Sequence, residues 1–262
     1  MKSVFRYYGG KFNQLKDILA ILQENIDQFD VVVDVFGGSG KVLLNIPDDW
    51  KKLKVYNDLN EDLYTTFMVL QDPKKRSSLM KKLRMAFAHE KVFKEMKTTR
   101  YGKDVDVAFR LLYLQTFSFM GDGTTFGRRY KGRTRMSRFT IENFIYVKDW
   151  TIENRDFRDL MKLYNKPRVL FYLDPPYLSS GKKYKYSFGL EDLRDLKKSM
   201  GQLTGSYLLN LSSYDQGMEE IFGAPNKVIE YANPLADNGR KRWGCGYWWN
   251  FEAVKPPTIL LA

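Results

Sequence analysis

Val31-Val32-Val33-Asp34-Val35, followed at once by Phe36-Gly37-Gly38-Ser39-Gly40, is the stretch that decides the fold. A short β-branched apolar run reads as a parallel strand buried on both faces. The glycines that close it lead the chain into Val42-Leu43-Leu44. Outward from this stretch the α/β rhythm continues. Asn13 is placed to cap a helix in which Leu15, Ile18, Leu19 and Leu22 share one face. Residues 54–56 predict a second strand, closed by Asn57-Asp58. Asn60 then caps a helix with Glu61 and Asp62 in its first turn and Leu63, Phe67 and Leu70 inward. Later in the chain, 169–173 predicts a buried strand and 190–200 a helix. Two more strands are expected at 207–211 and 227–231, and 247–254 reads as an antiparallel edge strand. The expected fold class is α/β, a doubly wound sheet.

Between about Asp72 and Asp149 the pattern changes. A basic amphipathic helix (Leu79, Leu83, Phe87) is expected first, then an aromatic helix over 109–119, then glycine-punctuated basic residues from Gly121 to Arg138. The chain carries a net charge of +12. Residues 74–103 hold a net +9 and residues 121–138 a net +5, which leaves the remainder about −2. Such runs are most often solvated helix faces. Two of them in one region of an otherwise balanced chain point to a polyanion. Residues 72–149 are therefore expected to be a mostly helical insertion that binds nucleic acid, with 1–71 and 150–262 forming the sheet domain.

Composition excludes several chemistries. The single cysteine, Cys245, allows no intramolecular disulfide framework and fits a reducing cytoplasm. The single histidine, His89, leaves no zinc site and no His-based triad, so no metal is expected. No membrane association is expected either, because no apolar run approaches the roughly 18 residues of a span. The opening residues show no signal-peptide pattern.

The most specific motif is Asp174-Pro175-Pro176-Tyr177, directly after the 169–173 strand. The plainer reading is a Pro-Pro turn that ends a strand. However, the carboxyl end of a sheet strand is where open α/β folds place ligands. The Asp174 carboxylate and the Pro175 carbonyl can each accept one N–H of an exocyclic amine such as that of adenine. That arrangement pyramidalises the nitrogen and frees its lone pair to attack a methyl group. Tandem prolines fix φ and hold the acceptor pair in place beforehand. Tyr177 offers a stacking face for a base that has left its duplex. The glycines at 37–40 let backbone approach a bound cofactor, although a plain tight turn remains open as a reading. A P-loop is excluded: Val35 stands where the first glycine should be, and Val42 where Ser or Thr should be. Asp58, 20 residues after Gly38, is placed either to hold ribose hydroxyls or to cap a turn.

These residues together resemble the Dam-like class of DNA adenine-N6 methyltransferases, in motif order and over nearly the whole chain. The resemblance implies a Rossmann-like sheet, S-adenosyl-L-methionine as methyl donor with S-adenosyl-L-homocysteine as product, and duplex DNA as partner. Arg6-Tyr7-Tyr8-Gly9-Gly10-Lys11 is similar to the family's opening cofactor motif, with Tyr7 and Lys11 as contacts. Phe36, Gly38 and Gly40 match its glycine loop, and Asp58 its ribose-binding acid. Asn154-Arg155-Asp156-Phe157 resembles the segment that receives the cofactor's adenine, with Asp156 on its amine and Phe157 beside it. Asp174, Pro175, Pro176 and Tyr177 match the catalytic motif, and Asp174 also borders the cofactor. In Gly121-Asp122-Gly123-Thr124-Thr125-Phe126-Gly127-Arg128-Arg129 the front of the hairpin found in GATC-reading relatives is shortened. The recognition sequence therefore stays open. Leu211-Ser212-Ser213 also departs from relatives that carry Asn after Ser.

For DNA contact the expected residues are Arg128, Arg129, Lys131, Arg133 and Arg135, most of them gripping phosphate and one or two reading bases. Tyr184 and Tyr186 are placed either to close over a flipped base or to pack a loop. His89 reads as an ordinary helix residue, and Trp243, Trp248 and Trp249 as core or edge packing. A role in the cytoplasm of a bacterial or phage-infected cell, as a monomer or weak homodimer, completes the expectation. The alternatives are a DNA-binding relative without catalysis, or methylation of RNA adenine. Cytosine-C5 chemistry is disfavoured because Cys245 lies between two glycines rather than after proline.

Overall fold

The computed structural model describes residues 2–5, 14–47, 49–99, 102–127, 146–176, 188–211, 216–232 and 242–252. The strands are β1 (Val31–Asp34), β2 (Leu53–Asn57), β3 (Thr151–Glu153), β4 (Val169–Leu173), β5 (Ser206–Leu211), β6 (Lys227–Ala232) and β7 (Arg242–Trp249). They form one seven-stranded sheet in the order β3-β2-β1-β4-β5-β7-β6. β1, β4 and β5 run parallel, with Val33 against Phe171 and Phe171 against Tyr207. β7 is antiparallel to both of its neighbours, β5 and β6. The expected α/β class with a Rossmann-like sheet is what the chain adopts.

Among the described residues the α-helices are α1 (Leu15–Gln23), α2 (Lys41–Asn45), α3 (Glu61–Gln71), α4 (Pro73–Met85), α5 (Glu90–Thr98), α6 (Asp104–Phe117), α7 (Phe157–Leu163), α8 (Leu190–Gly201) and α9 (Gln216–Phe222). None is long and apolar enough to cross a membrane.

Several expectations need correction. In α1 the buried face is Leu15, Ile18, Ile21 and Leu22, and Leu19 is only half-buried. Gln14 stands at the N-cap and its side chain makes no capping bond, while Asn13 lies outside the described residues. Phe87 falls beyond the end of α4 and is 49% exposed; Met80 takes its place beside Leu79 and Leu83. His89 is the N-cap residue of α5 rather than a residue inside a helix. β7 begins at Arg242, and it lies inside the sheet with β6 at the edge. The reason is burial: Cys245 and Tyr247 are fully covered and Trp248 packs against the Phe222 ring. By contrast the Asn60 cap forms as expected, its side chain accepting from Asp62 N–H, and Leu63, Phe67 and Leu70 are buried.

The chain divides into two compact units, one of residues 1–11, 37–45 and 56–154, the other of 12–36, 46–55 and 155–262. In the first, α3, α4 and α5 all pack on α6, and Tyr56, Phe67 and Trp150 form a ring stack with centroids 4.1–6.2 Å apart. In the second, one sheet face carries Val33, Val35, Phe171, Leu173, Leu209 and Leu211 against α7 and α8 residues Leu160, Leu193 and Leu196. Gly205, ahead of β5, is obligatory there, because a Cβ would sit 2.6 Å from the Val169 carbonyl oxygen.

Candidate active site

The glycine turn after β1 is locked from several directions. Gly37 N–H donates to the Asn57 carbonyl (2.7 Å) and Gly40 N–H to the Gly37 carbonyl (2.8 Å). The Tyr56 hydroxyl donates to the Gly38 carbonyl (2.8 Å). Gly38 and Gly40 adopt φ of 52° and 65°, the left-handed region that glycine enters without steric cost. A Cβ on Gly37 would lie 2.3 Å from the Tyr56 ring, so that glycine serves close packing within the turn.

Asp58 completes this turn. Its Oδ2 accepts from Gly38 N–H (2.9 Å) and its Oδ1 from Asn60 N–H (2.8 Å). Asn154 Nδ2 in turn donates to the Asp58 carbonyl (2.7 Å). Burial pushes the Asp58 carboxyl up to about 6, against the two backbone N–H groups that lower it. A carboxylate offers about four lone-pair sites, so two remain after these bonds. A tight glycine turn without side chains at 37, 38 and 40 and an acid that still has accepting capacity fit a nucleoside cofactor.

In the other unit, β4 is buried at all five positions and delivers Asp174, Pro175 and Pro176 at its carboxyl end. Asp174 is half-buried and Pro175 buried. Strand alternation puts Tyr172 and Asp174 on the face opposite Phe171 and Leu173. Tyr172 pairs in register with Asp34 of β1, and both are almost fully buried. The Tyr172 hydroxyl has no hydrogen-bond partner among the described residues. Burial, with the Asp174 and Asp34 carboxylates nearby, holds it protonated. Farther along that face, Asn210 Nδ2 donates to the Cys245 sulfur (2.8 Å), and Tyr247 and Tyr231 join through their hydroxyls (2.7 Å). A polar layer thus lines the sheet beside the Asp-Pro-Pro turn.

The Asn154-to-Phe157 segment enters α7. Phe157 is 5% exposed, its ring 5.7 Å from Phe36 and 6.0 Å from Phe188. Phe36 meets Phe188 edge-on at 5.7 Å. Asp156 is the N-cap of α7, and its Oδ1 accepts from Arg158 N–H (2.8 Å). The Arg158 guanidinium bridges Asp156, Asp192 and Asp195. Tyr7, Lys11, Tyr177, Tyr184, Tyr186, Arg128, Arg129, Lys131, Arg133, Arg135, Ser212 and Ser213 lie outside the described residues.

A family model described as D12 class N6 adenine-specific DNA methyltransferase matches residues 7–207, a span that includes the glycine turn, Asp58, Asp156 and Asp174. The chain belongs to that family. The D12-class chain is also 25% identical to the type II methyltransferase M.CviBI of Paramecium bursaria Chlorella virus NC1A, over 73% of this chain and 75% of the viral protein. It is 25% identical to the modification methylase StsI of Streptococcus sanguinis, over 70% of this chain but only 30% of that longer protein. As a D12-class enzyme it methylates the N6 amine of adenine in DNA, and S-adenosylmethionine is the methyl donor that methyltransferases of this kind use.

The sequence marks the glycine turn, Asp58, Asp156 and the Asp-Pro-Pro turn, but not the residues packed around them. Asp34 was visible as the one polar residue in an apolar run, and Tyr172 as the residue sharing parity with Asp174. Asp192 and Asp195, spaced i and i+3, signalled one charged helix face, yet nothing in the sequence connected them to Arg158.

Proposed function

We propose that the chain is a site-specific methyltransferase acting on adenine flipped out of duplex DNA, with the residue roles that follow. The carrying observation is Asp174-Pro175 at the end of a fully buried parallel strand, within a chain of the D12 class. The turn at 37–40 receives the methionine and ribose portion of the cofactor, with Asp58 accepting from the ribose hydroxyls. Asp156 and Phe157 receive its adenine, and Tyr7 and Lys11 contribute from the chain's beginning. S-adenosylmethionine supplies an electrophilic methyl group on a sulfonium, and the product is S-adenosylhomocysteine.

Asp174 Oδ and the Pro175 carbonyl oxygen each accept one N–H of the target amine, which turns its lone pair towards the methyl group. The carboxylate then compensates the positive charge that develops on nitrogen. Pro176 keeps the turn rigid, and Tyr177 stacks on the flipped base. Stacking contributes about 1–3 kcal/mol, comparable to the few kcal/mol that flipping costs. The reaction so drawn uses no metal. Residues 72–149 form the target-recognition region, with Arg128, Arg129, Lys131, Arg133 and Arg135 on the DNA and the lysines of 74–103 holding phosphate without sequence preference. The enzyme works in the cytoplasm as a monomer or weak homodimer.

The test is incubation with S-adenosylmethionine and plasmid DNA, followed by single-molecule sequencing. Methyladenine confined to one short motif is the expected result. Methyladenine without a motif would remove the recognition role of 72–149, and its absence from DNA would remove the reading of the substrate.

A further inference from the structure

Arg158 has a role that the chemistry above does not use. Its Nε donates to Asp195 Oδ2 (2.8 Å) and its Nη2 to Asp192 Oδ1 (2.6 Å); Nη2 also lies 2.7 Å from Asp195. Its Nη1 reaches both oxygens of Asp156, at 3.3 Å for Oδ1 and 3.1 Å for Oδ2. The guanidinium carbon sits 4.3 Å from the centre of the Phe157 ring. Asp192 is itself anchored, accepting from Gly189 N–H (2.8 Å) at the start of α8. Arginine carries five N–H donors in one rigid plane, and here the plane is fixed from two sides before it meets Asp156.

Lone-pair accounting then gives Asp156 a defined remainder. Oδ1 accepts the Arg158 backbone N–H and one guanidinium contact, which fills it. Oδ2 accepts one guanidinium contact and keeps a single lone pair. An acceptor with one open site in a fixed direction suits one N–H donor. It rejects a carbonyl oxygen in the same place, because two acceptors then face each other.

We infer that Arg158 is a positioning residue that orients Asp156 and so makes the cofactor site selective for an adenine over a 6-oxopurine base. The inference rests on the reading that Asp156 receives the cofactor's adenine. In that role Arg158 touches neither substrate nor reacting atoms, and it acts through Asp156 and the face of Phe157.

The experiment measures calorimetric binding of S-adenosylhomocysteine and of its 6-oxo counterpart, S-inosylhomocysteine, to the full chain and to variants. Arg158→Gln is expected to weaken S-adenosylhomocysteine about tenfold, corresponding to about 1.4 kcal/mol, and to change S-inosylhomocysteine by less than about threefold. Discrimination between the two therefore collapses. Arg158→Lys, a point charge that cannot span three carboxylates, restores only part of it. Should Arg158→Gln fail to fold, Asp195→Asn loosens the same fork from the far side, and about a threefold loss of discrimination is expected. Equal weakening of both ligands, or no change in either, overturns the inference. Asp156→Asn separates the two levels. If it leaves discrimination intact, the adenine reading of Asp156 fails. If it abolishes discrimination while Arg158→Gln does not, only the role of Arg158 fails.

Discussion

Two charged clusters, one in each unit, are built in opposite ways. Around α7 and α8, one guanidinium is enclosed by three carboxylates, and the Arg158 and Asp192 side chains are only 32% and 29% exposed. On the α4–α6 face the pairs are Lys75–Asp104, with side chains 45% and 52% exposed, and Lys82–Asp106. Lys94–Glu90 on α5 is more open still. Partly buried, multiply bonded charges hold a geometry. Exposed single pairs contribute little to stability and yield to salt or to a competing anion. On the proposed reading, the first arrangement keeps the Asp156 carboxylate oriented, and the second leaves lysines that can exchange a carboxylate partner for phosphate.

The largest expected departure from this contrast is at Asp58. Its carboxyl titrates near 6 in the folded protein because burial raises it. A raised carboxyl favours the neutral form, so its contribution to stability is complete below its ordinary value of 3.8 and is lost as pH rises through about 6. Ribose binding needs the opposite, an accepting carboxylate. S-adenosylhomocysteine affinity should therefore fall about tenfold between pH 7 and pH 5, as expected for release of one proton on binding at the acid side. Asp58→Asn should remove the dependence, and a flat calorimetric profile in the parent protein would show that Asp58 is not a ligand.

A smaller effect is expected at the lysine pairs. Asp104→Asn with Asp106→Asn releases Lys75 and Lys82 to phosphate. The logarithmic salt dependence of DNA binding should steepen by up to about 1.8, at roughly 0.9 for each phosphate newly neutralised. An unchanged slope would move the non-specific grip off this face. Smallest of all, Asn60→Ala removes the cap bond to Asp62 N–H and should cost about 1 kcal/mol in denaturant unfolding. The Asn60 backbone bond to Asp58 remains, so cofactor affinity should hold; if it drops severalfold, the cap is part of the cofactor site.

Legibility in the sequence followed the range of the interactions. β4 and the tetrapeptide after it were readable because a continuous apolar run ends in prolines. The Asn60 cap was readable because capping acts within three residues. Between 72 and 149, α4 and α6 were located while α5 was missed, and α6 begins at Asp104, five residues earlier than its aromatic content signalled. Interior placement of β7 was not readable, since Tyr247-Trp248-Trp249 shows no alternation and its partner Leu209 is some 40 residues away. The same holds for Arg158, whose partners Asp192 and Asp195 lie 34 and 37 residues along the chain. Local rules fix elements and caps, whereas non-local pairing decides which charges meet.

Single-turnover methyl transfer by Asp174→Ala, measured beside its affinity for S-adenosylhomocysteine and for duplex DNA, tests the central claim most directly. Transfer should fall by about a hundredfold or more, as when one preorganised charge-stabilising group is removed, while both affinities stay within about threefold. Transfer within about tenfold of the parent enzyme, with the fold intact, would contradict the assignment of Asp174 as the acceptor for the adenine amine.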